Sequence, residues 1–191
     1  MAIRNVLACL VIGAAGVLTA CANSGDGRPP LKTSAKIDLE RYMGRWHVIA
    51  RVDYFGERGD VASEDDYALD DDGNVATVYR YRKSFDTGAN VRTLRSTGLV
   101  QPGTGNAYWR IRFFGFFKAD YLVLEVADDY SWALIGQPGR KLGWIFGREA
   151  VMPDAIYADL LGKMQGYGYD PATLLRVPQV EGQLGKPGFF R

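Results

Sequence analysis

The chain reads as an all-β protein, an eight-stranded antiparallel up-and-down barrel with one C-terminal α-helix packed outside it. Three observations predict this architecture. Short runs that alternate apolar and polar residues recur from Trp46 to Arg148 at the spacing of hairpin-linked strands. Glycine, asparagine and aspartate mark the turns between them, most strongly at Asp71-Asp72-Gly73-Asn74, because aspartate and glycine tolerate the backbone angles of tight turns. After Met152 the period lengthens to that of a helix, with Ile156, Leu160 and Met164 recurring every four residues. Eight strands joined as hairpins favour closure, since closure removes exposed edges.

Taken in order, the chain opens with one basic residue, Arg4, and an apolar run from Val6 to Ala20, too short for a comfortable membrane span. Residues 1–20 therefore read as a secretory signal peptide. Leu18-Thr19-Ala20-Cys21 resembles the lipobox of bacterial lipoproteins, which implies that Cys21 becomes the lipid-modified first residue of the mature chain. Ala22 stands where inner-membrane retention prefers aspartate, which favours the outer membrane. Residues 21–36, with Gly25, Gly27, Pro29 and Pro30, read as a lipidated cysteine followed by a flexible tether. Residues 37–180 form the folded domain, and residues 181–191 read as a loose tail.

Within the domain, Ile37 to Met43 is expected to form one helical turn that plugs the base of the barrel. The expected strands are Trp46–Val52, Ser63–Asp70, Asn74–Lys83, Val91–Gln101, Ala107–Phe114, Tyr121–Ala127, Trp132–Gly136 and Leu142–Arg148. Pro153, favoured in a first helical turn, opens the helix, and Gly166 and Gly168 close it. Its polar face carries Asp154, Asp159 and only Lys163, which argues for packing on the barrel wall and against membrane docking. Leu174 to Val177 would add an edge strand.

Composition excludes several classes. The 23 basic and 22 acidic residues become balanced once Arg4 leaves with the leader, and no basic patch points to nucleic acid. Cys9 leaves too, so no intramolecular disulfide, cysteine zinc site or thiol catalyst is available. His47 is the only histidine, which removes a histidine metal pair and a Ser-His-Asp arrangement. The carboxylates of Glu64-Asp65-Asp66 and Asp70-Asp71-Asp72 read as solvated, and no calcium-loop signature accompanies them. No cofactor and no metal is expected.

Three stretches then come together: Gly44-Arg45-Trp46, the run from Asp128 to Gly136, and Leu142-Gly143-Trp144-Ile145-Phe146-Gly147-Arg148. In this order they resemble the three signatures of the lipocalin family. The bacterial outer-membrane lipoprotein type is the nearest in Ile37 to Trp46, Arg112 to Phe117 and Tyr130 to Arg148, and the likeness runs from Ile37 to Pro178. It implies that Trp46 closes the bottom of the barrel and that Arg148 lies across its ring, with Gly44 completing the signature. Family members often carry an asparagine where this chain reads Tyr79-Arg80-Tyr81-Arg82, so the pocket shape there is not carried over.

With Trp46 and Arg148 taken as inward, period two sorts the strands into faces. Trp144 and Phe146 point in, as do Trp109, Ile111 and Phe113, with Arg110 and Arg112 in water. Val75, Thr77, Tyr79 and Tyr81 line the third strand, Tyr67 and Leu69 the second, and Leu94, Ser96, Gly98 and Val100 the fourth. The strand at Tyr121 is apolar on both faces except at Glu125. With the leucines inward Glu125 is a solvated outer carboxylate, the favoured choice because an unpaired buried charge is costly.

The expected ligand-binding residues are Tyr67, Tyr79, Trp109, Ile111, Phe113, Trp144 and Phe146. Such an aromatic lining suits a long acyl chain with a polar head near the mouth, and the alternative is a collapsed core without a cavity. Burying a dozen methylenes at about 0.8 kcal/mol each gives on the order of 10 kcal/mol before ordering costs. The chain thus reads as a binding protein, not an enzyme, that stores or ferries fatty acids or lysophospholipids at the bacterial envelope, its domain in the periplasm. Two other classes stay open: an enzyme using carboxylate or tyrosine chemistry at Glu125 or Tyr79, and a structural lipoprotein with a filled barrel. Phe114, Phe116 and Phe117 would form an apolar rim or a lid. Oligomeric state has no signal in the sequence.

Overall fold

The computed structural model describes residues 27–115 and 117–190; the leader, Cys21, Phe116 and Arg191 lie outside the described residues. Asp38 caps the short helix α1 (Leu39–Tyr42) by accepting a hydrogen bond from the Arg41 N–H at 3.2 Å. Eight strands follow: β1 (Gly44–Val52), β2 (Val61–Leu69), β3 (Val75–Arg82), β4 (Arg92–Val100), β5 (Tyr108–Phe113), β6 (Phe117–Val126), β7 (Trp132–Gly136) and β8 (Gly143–Gly147). Each pairs antiparallel with the next, and β1 pairs with both β2 and β8, so the sheet closes. A ninth strand, β9 (Leu174–Arg176), adds to the second half of β1 at Ala50, Arg51 and Val52.

The core has two layers. Inside the barrel lie Tyr42, Trp46, Val48, Tyr67, Trp109, Tyr121, Val123, Ile135 and Phe146. Outside it, Ile49, Leu122, Leu124, Leu134 and Ile145 pack under α2 (Asp154–Gly166) through Leu160 and Met164. Ile156, expected on the packed face, is 43% exposed, so the buried stripe runs through Leu160 and Met164 with Tyr157 and Leu161 partly buried beside it. Pro153 takes the N-cap position and not the first turn. The helix stops where Gly168 adopts φ +87°, letting the Gly168 N–H reach the Gln165 carbonyl and the Tyr169 N–H reach that of Met164.

Three register shifts reset the alternation, one of them in β2 between Val61 and Glu64. In β1 the register shifts between Val48 and Ala50, and in β6 between Val123 and Glu125. Tyr121 and Val123 therefore belong to the barrel interior while Leu122 and Leu124 face α2, the reverse of the leucine-inward phase expected. Glu125 nonetheless points outward, because Leu124 is the extra residue and Glu125 then pairs across to Leu134 of the outer layer. Its carboxylate is held by Lys163 Nζ at 2.7 Å.

Three further expectations are corrected. Leu69 is 40% exposed, since β1 begins at Gly44 opposite Tyr67 and leaves the end of β2 uncovered. The stretch from Arg28 to Lys36 lies docked on the barrel: Leu31 is buried and its N–H meets the Pro138 carbonyl at 2.8 Å, and Thr33 Oγ1 donates to the Val123 carbonyl at 2.6 Å. The segment after β9 is likewise docked, not loose. Above His47, β1 and β2 diverge, and the chain from Val177 to Gln179 fills the gap. The Val177 N–H bonds the Ile49 carbonyl, the Ala62 N–H bonds that of Pro178, and Gln179 Nε2 donates to the Val48 carbonyl at 2.7 Å. Phe190 packs against the interior cluster, with its N–H on the Arg176 carbonyl.

Candidate functional site

The barrel is shut at one end. Gly44 has φ +88°, a backbone state that a Cβ would strain, and it turns the chain from α1 into β1. Trp46 is fully buried, and its Nε1 donates to the Tyr42 carbonyl at 2.8 Å. The Arg148 guanidinium lies 3.8 Å from the Trp46 ring centroid and donates to the Arg41 and Arg45 carbonyls, each at 2.8 Å. One side chain just past the last barrel strand thus satisfies the open carbonyl end of α1 and covers the tryptophan face.

Above this closure lies an aromatic floor. Trp109 and Tyr121 stack with centroids 4.9 Å apart, and Tyr42 and Tyr67 meet the Trp109 edge. Tyr121 Oη lies 3.0 Å from Tyr42 Oη and 3.1 Å from Tyr67 Oη. Burial raises the pKa of all three phenols, so they stay neutral donors and acceptors.

Over the floor opens a cavity of about 440 Å³, within the size range of small-molecule sites. One wall is apolar, built from Ile111, Phe113, Ala119, Leu142, Trp144 and Phe146. The facing wall carries Asp65, Tyr67, Thr77, Tyr79 and Tyr81 from β2 and β3, with Tyr54 and Glu57 from the loop after β1. Of the expected ligand-binding residues, Tyr67, Tyr79, Ile111, Phe113, Trp144 and Phe146 are in this lining. Trp109 is not: it lies in the floor, its ring covered by Tyr121 and its Nε1 held by the Asn106 carbonyl at 2.7 Å. At the mouth Phe114 is 73% exposed and Phe55, unnoticed in the sequence, 89%. Nothing is described of Phe116 or of the Phe117 side chain.

The charged side of the cavity escaped sequence reasoning. The β1 bulge turns Arg51 inward, opposite Trp144, and buries it. Its Nε lies 3.4 Å from Glu57 Oε2, its Nη2 donates to the Glu57 carbonyl at 2.6 Å, and Nη1 reaches Asp53 Oδ1 at 3.3 Å. Tyr54 Oη donates to Glu57 Oε1 at 2.6 Å and Trp144 Nε1 to the same oxygen at 3.3 Å. Burial still holds the Glu57 carboxyl above its usual range, with the Tyr54 hydrogen bond and Arg51 opposing. Tyr79 Oη donates to Asp60 Oδ2 at 3.0 Å, and Lys83 pairs with the same carboxylate. The three consecutive apolar residues Val48-Ile49-Ala50 were the available sign of a bulge.

Asp65, read as solvated from its acidic neighbours, lines the cavity. Burial and the nearby carboxylate of Glu57 push its pKa up to about 7, against a Tyr67 hydrogen bond that lowers it. Between about pH 4 and pH 7 the native state then holds a proton that the unfolded chain has released. Stability attached to this group is full below pH 4 and lost as pH rises through 7. Asp65→Asn is therefore expected to gain on the parent as pH rises, by on the order of 2–4 kcal/mol at pH 8. Urea unfolding at pH 4.5 and pH 8 checks this; an equal difference at both would contradict it.

A family model described as a lipocalin-like domain matches residues 37–179. The chain belongs to the lipocalin family. Temperature-induced lipocalin-1 of Arabidopsis thaliana is 32% identical over 151 residues, covering 75% of this chain and 80% of that protein. Outer membrane lipoprotein Blc of Escherichia coli K12 is 28% identical over 151 residues, covering 74% and 79%. Among solved structures, insecticyanin from the tobacco hornworm Manduca sexta superposes with a TM-score of 0.62 at 15% identity, covering 85% of this chain and 91% of its own. Lobster apocrustacyanin A1 gives 0.57 at 15% identity, covering 80% and 92%. These superpositions establish the shared fold. As a lipocalin, the protein belongs to a family that binds small hydrophobic molecules.

Proposed function

We propose that this lipocalin binds single-chain lipids of the fatty acid or lysophospholipid kind in its barrel, and stores or ferries them at the bacterial envelope. Cys21, acylated after removal of the leader, would anchor it to the outer membrane with the barrel in the periplasm. The observation that carries the reading is the cavity of about 440 Å³ with Ile111, Phe113, Trp144 and Phe146 in its lining. It supports binding over a filled barrel. The names of the Blc relatives, outer membrane lipoproteins, support the address. Both residues set aside for possible catalysis lose support: Glu125 lies outside the barrel on Lys163, and the Tyr79 hydroxyl is tied to Asp60 with its pKa raised by burial.

Native mass spectrometry with lipid extraction, on the chain from Ala22 onward purified from a bacterial host, tests the reading. A bound fatty acid or lysophospholipid near unit occupancy is expected. Phe113→Asp, which places a charge in the apolar wall, should lower occupancy at least tenfold without unfolding the barrel. A protein that is empty and takes up no fluorescent fatty acid would sink the proposal.

A further inference from the structure

The polar wall of the cavity is unevenly charged. Two carboxylates face it, those of Glu57 and Asp65, while that of Asp120, between the inward Ala119 and Tyr121 of β6, turns to the outer face. Glu57 is paired with Arg51, and Asp120 with Arg110 Nε at 3.1 Å. Asp65 has no such partner: its Oδ2 accepts from Tyr67 Oη at 3.3 Å, and among the described residues no cation lies within ion-pair distance. The groups facing it supply none. Tyr67 and Tyr79 are neutral phenols, Tyr42 lies below in the floor, and Glu57 adds a second negative charge. Arg51 is paired with Glu57 and Asp53, and Lys83 with Asp60. A carboxylate at the edge of an apolar cavity, given one phenol and no cation, is a half-built ion pair.

We propose that Asp65 selects the ligand by its head group, so that the cavity takes apolar molecules bearing an ammonium group and disfavours those bearing a free carboxylate. The inference rests on the cavity being a lipid site and narrows that reading, ranking fatty acids below single-chain lipids or amines that carry an ammonium group. An ammonium hydrogen-bonded to Asp65 would complete the pair in a low-dielectric setting, whereas a fatty acid carboxylate would meet like charge there. Two sources share the ammonium chemistry, a free long-chain amine and the ethanolamine head of a single-chain phospholipid.

The test is displacement of N-phenyl-1-naphthylamine fluorescence at pH 8 from the chain from Ala22 onward, which contains every element of the fold. The competitors are dodecylamine, dodecanol and dodecanoate, each below its critical micelle concentration. Dodecylamine is expected to displace the probe at a concentration at least tenfold below that of dodecanoate, with dodecanol between. In Asp65→Asn, its fold verified by circular dichroism, the amine-to-carboxylate ratio should fall towards one. Lysophosphatidylethanolamine and lysophosphatidylglycerol of equal chain length then separate the two sources: a preference for the former assigns the lipid head, and equal weak displacement by both assigns the free amine. If dodecanol displaces the probe but dodecanoate does so as well as dodecylamine, or if Asp65→Asn leaves the ratio as it was, the selector role is overturned and the lipid cavity stands. If none of the three displaces the probe, the cavity reading itself fails.

Discussion

Trp46→Ala is expected to destabilise the barrel by about 3–5 kcal/mol, the range for removing a large buried aromatic side chain. Trp46 is fully buried, lies 5.0 Å from the Tyr42 ring, and carries Arg148 on its other face. Its loss removes three things together: packed area at the closed end, the hydrogen bond to the Tyr42 carbonyl, and the surface on which Arg148 rests. Arg148→Lys should cost less, about 1–2 kcal/mol, since a lysine keeps the charge but cannot reach the Arg41 and Arg45 carbonyls at once. Urea unfolding of both variants checks the ranking; a Trp46→Ala protein within 1 kcal/mol of the parent would show that the closed end contributes little to stability.

Arg51→Met should be as damaging at pH 7, at about 3–5 kcal/mol, because it strands the Glu57 carboxylate in the cavity wall. Glu57 would keep only its Tyr54 and Trp144 hydrogen bonds, and burial already favours its protonated form. The deficit is expected to shrink as pH falls and Glu57 takes up a proton. The double variant Arg51→Met, Glu57→Gln should recover most of the loss, since no isolated charge remains. A double-mutant cycle by chemical denaturation measures this. Additive costs would mean that the two groups stabilise the loop after β1 independently.

These two sites differ in how visible they were beforehand. The glycine, the tryptophan and the distant arginine of the closed end are sequence features, and hairpin spacing places them in a barrel that brings them together. Ile111, Phe113, Trp144 and Phe146 were legible for the same reason, because β5 and β8 run without a bulge across the cavity and strict alternation holds. Trp109 shares their face but lies lower on it, opposite Val100 and Tyr121, at a depth where the rings already meet. Alternation gives a side, and only the packed height of the floor says which inward residues a ligand could touch.

The amino-acid sequence by itself determined the barrel, its order of strands, the helix after it and the identity of the closing pair, since these rest on local periodicity, turn chemistry and a few motif residues. Alternation from the inward Tyr67 already put Asp65 on the inner face, but tertiary structure decided where the other charges go. One extra residue in β1 turns Arg51 inward, one in β6 turns Glu125 outward, and the loop after β1 brings Glu57 to Arg51. Asp65 lines the cavity because β2 runs in register with Trp46 on one side and Tyr79 on the other. A bulge inverts every face beyond it at small local cost, so the phase of a strand is settled by what it packs against on both sides.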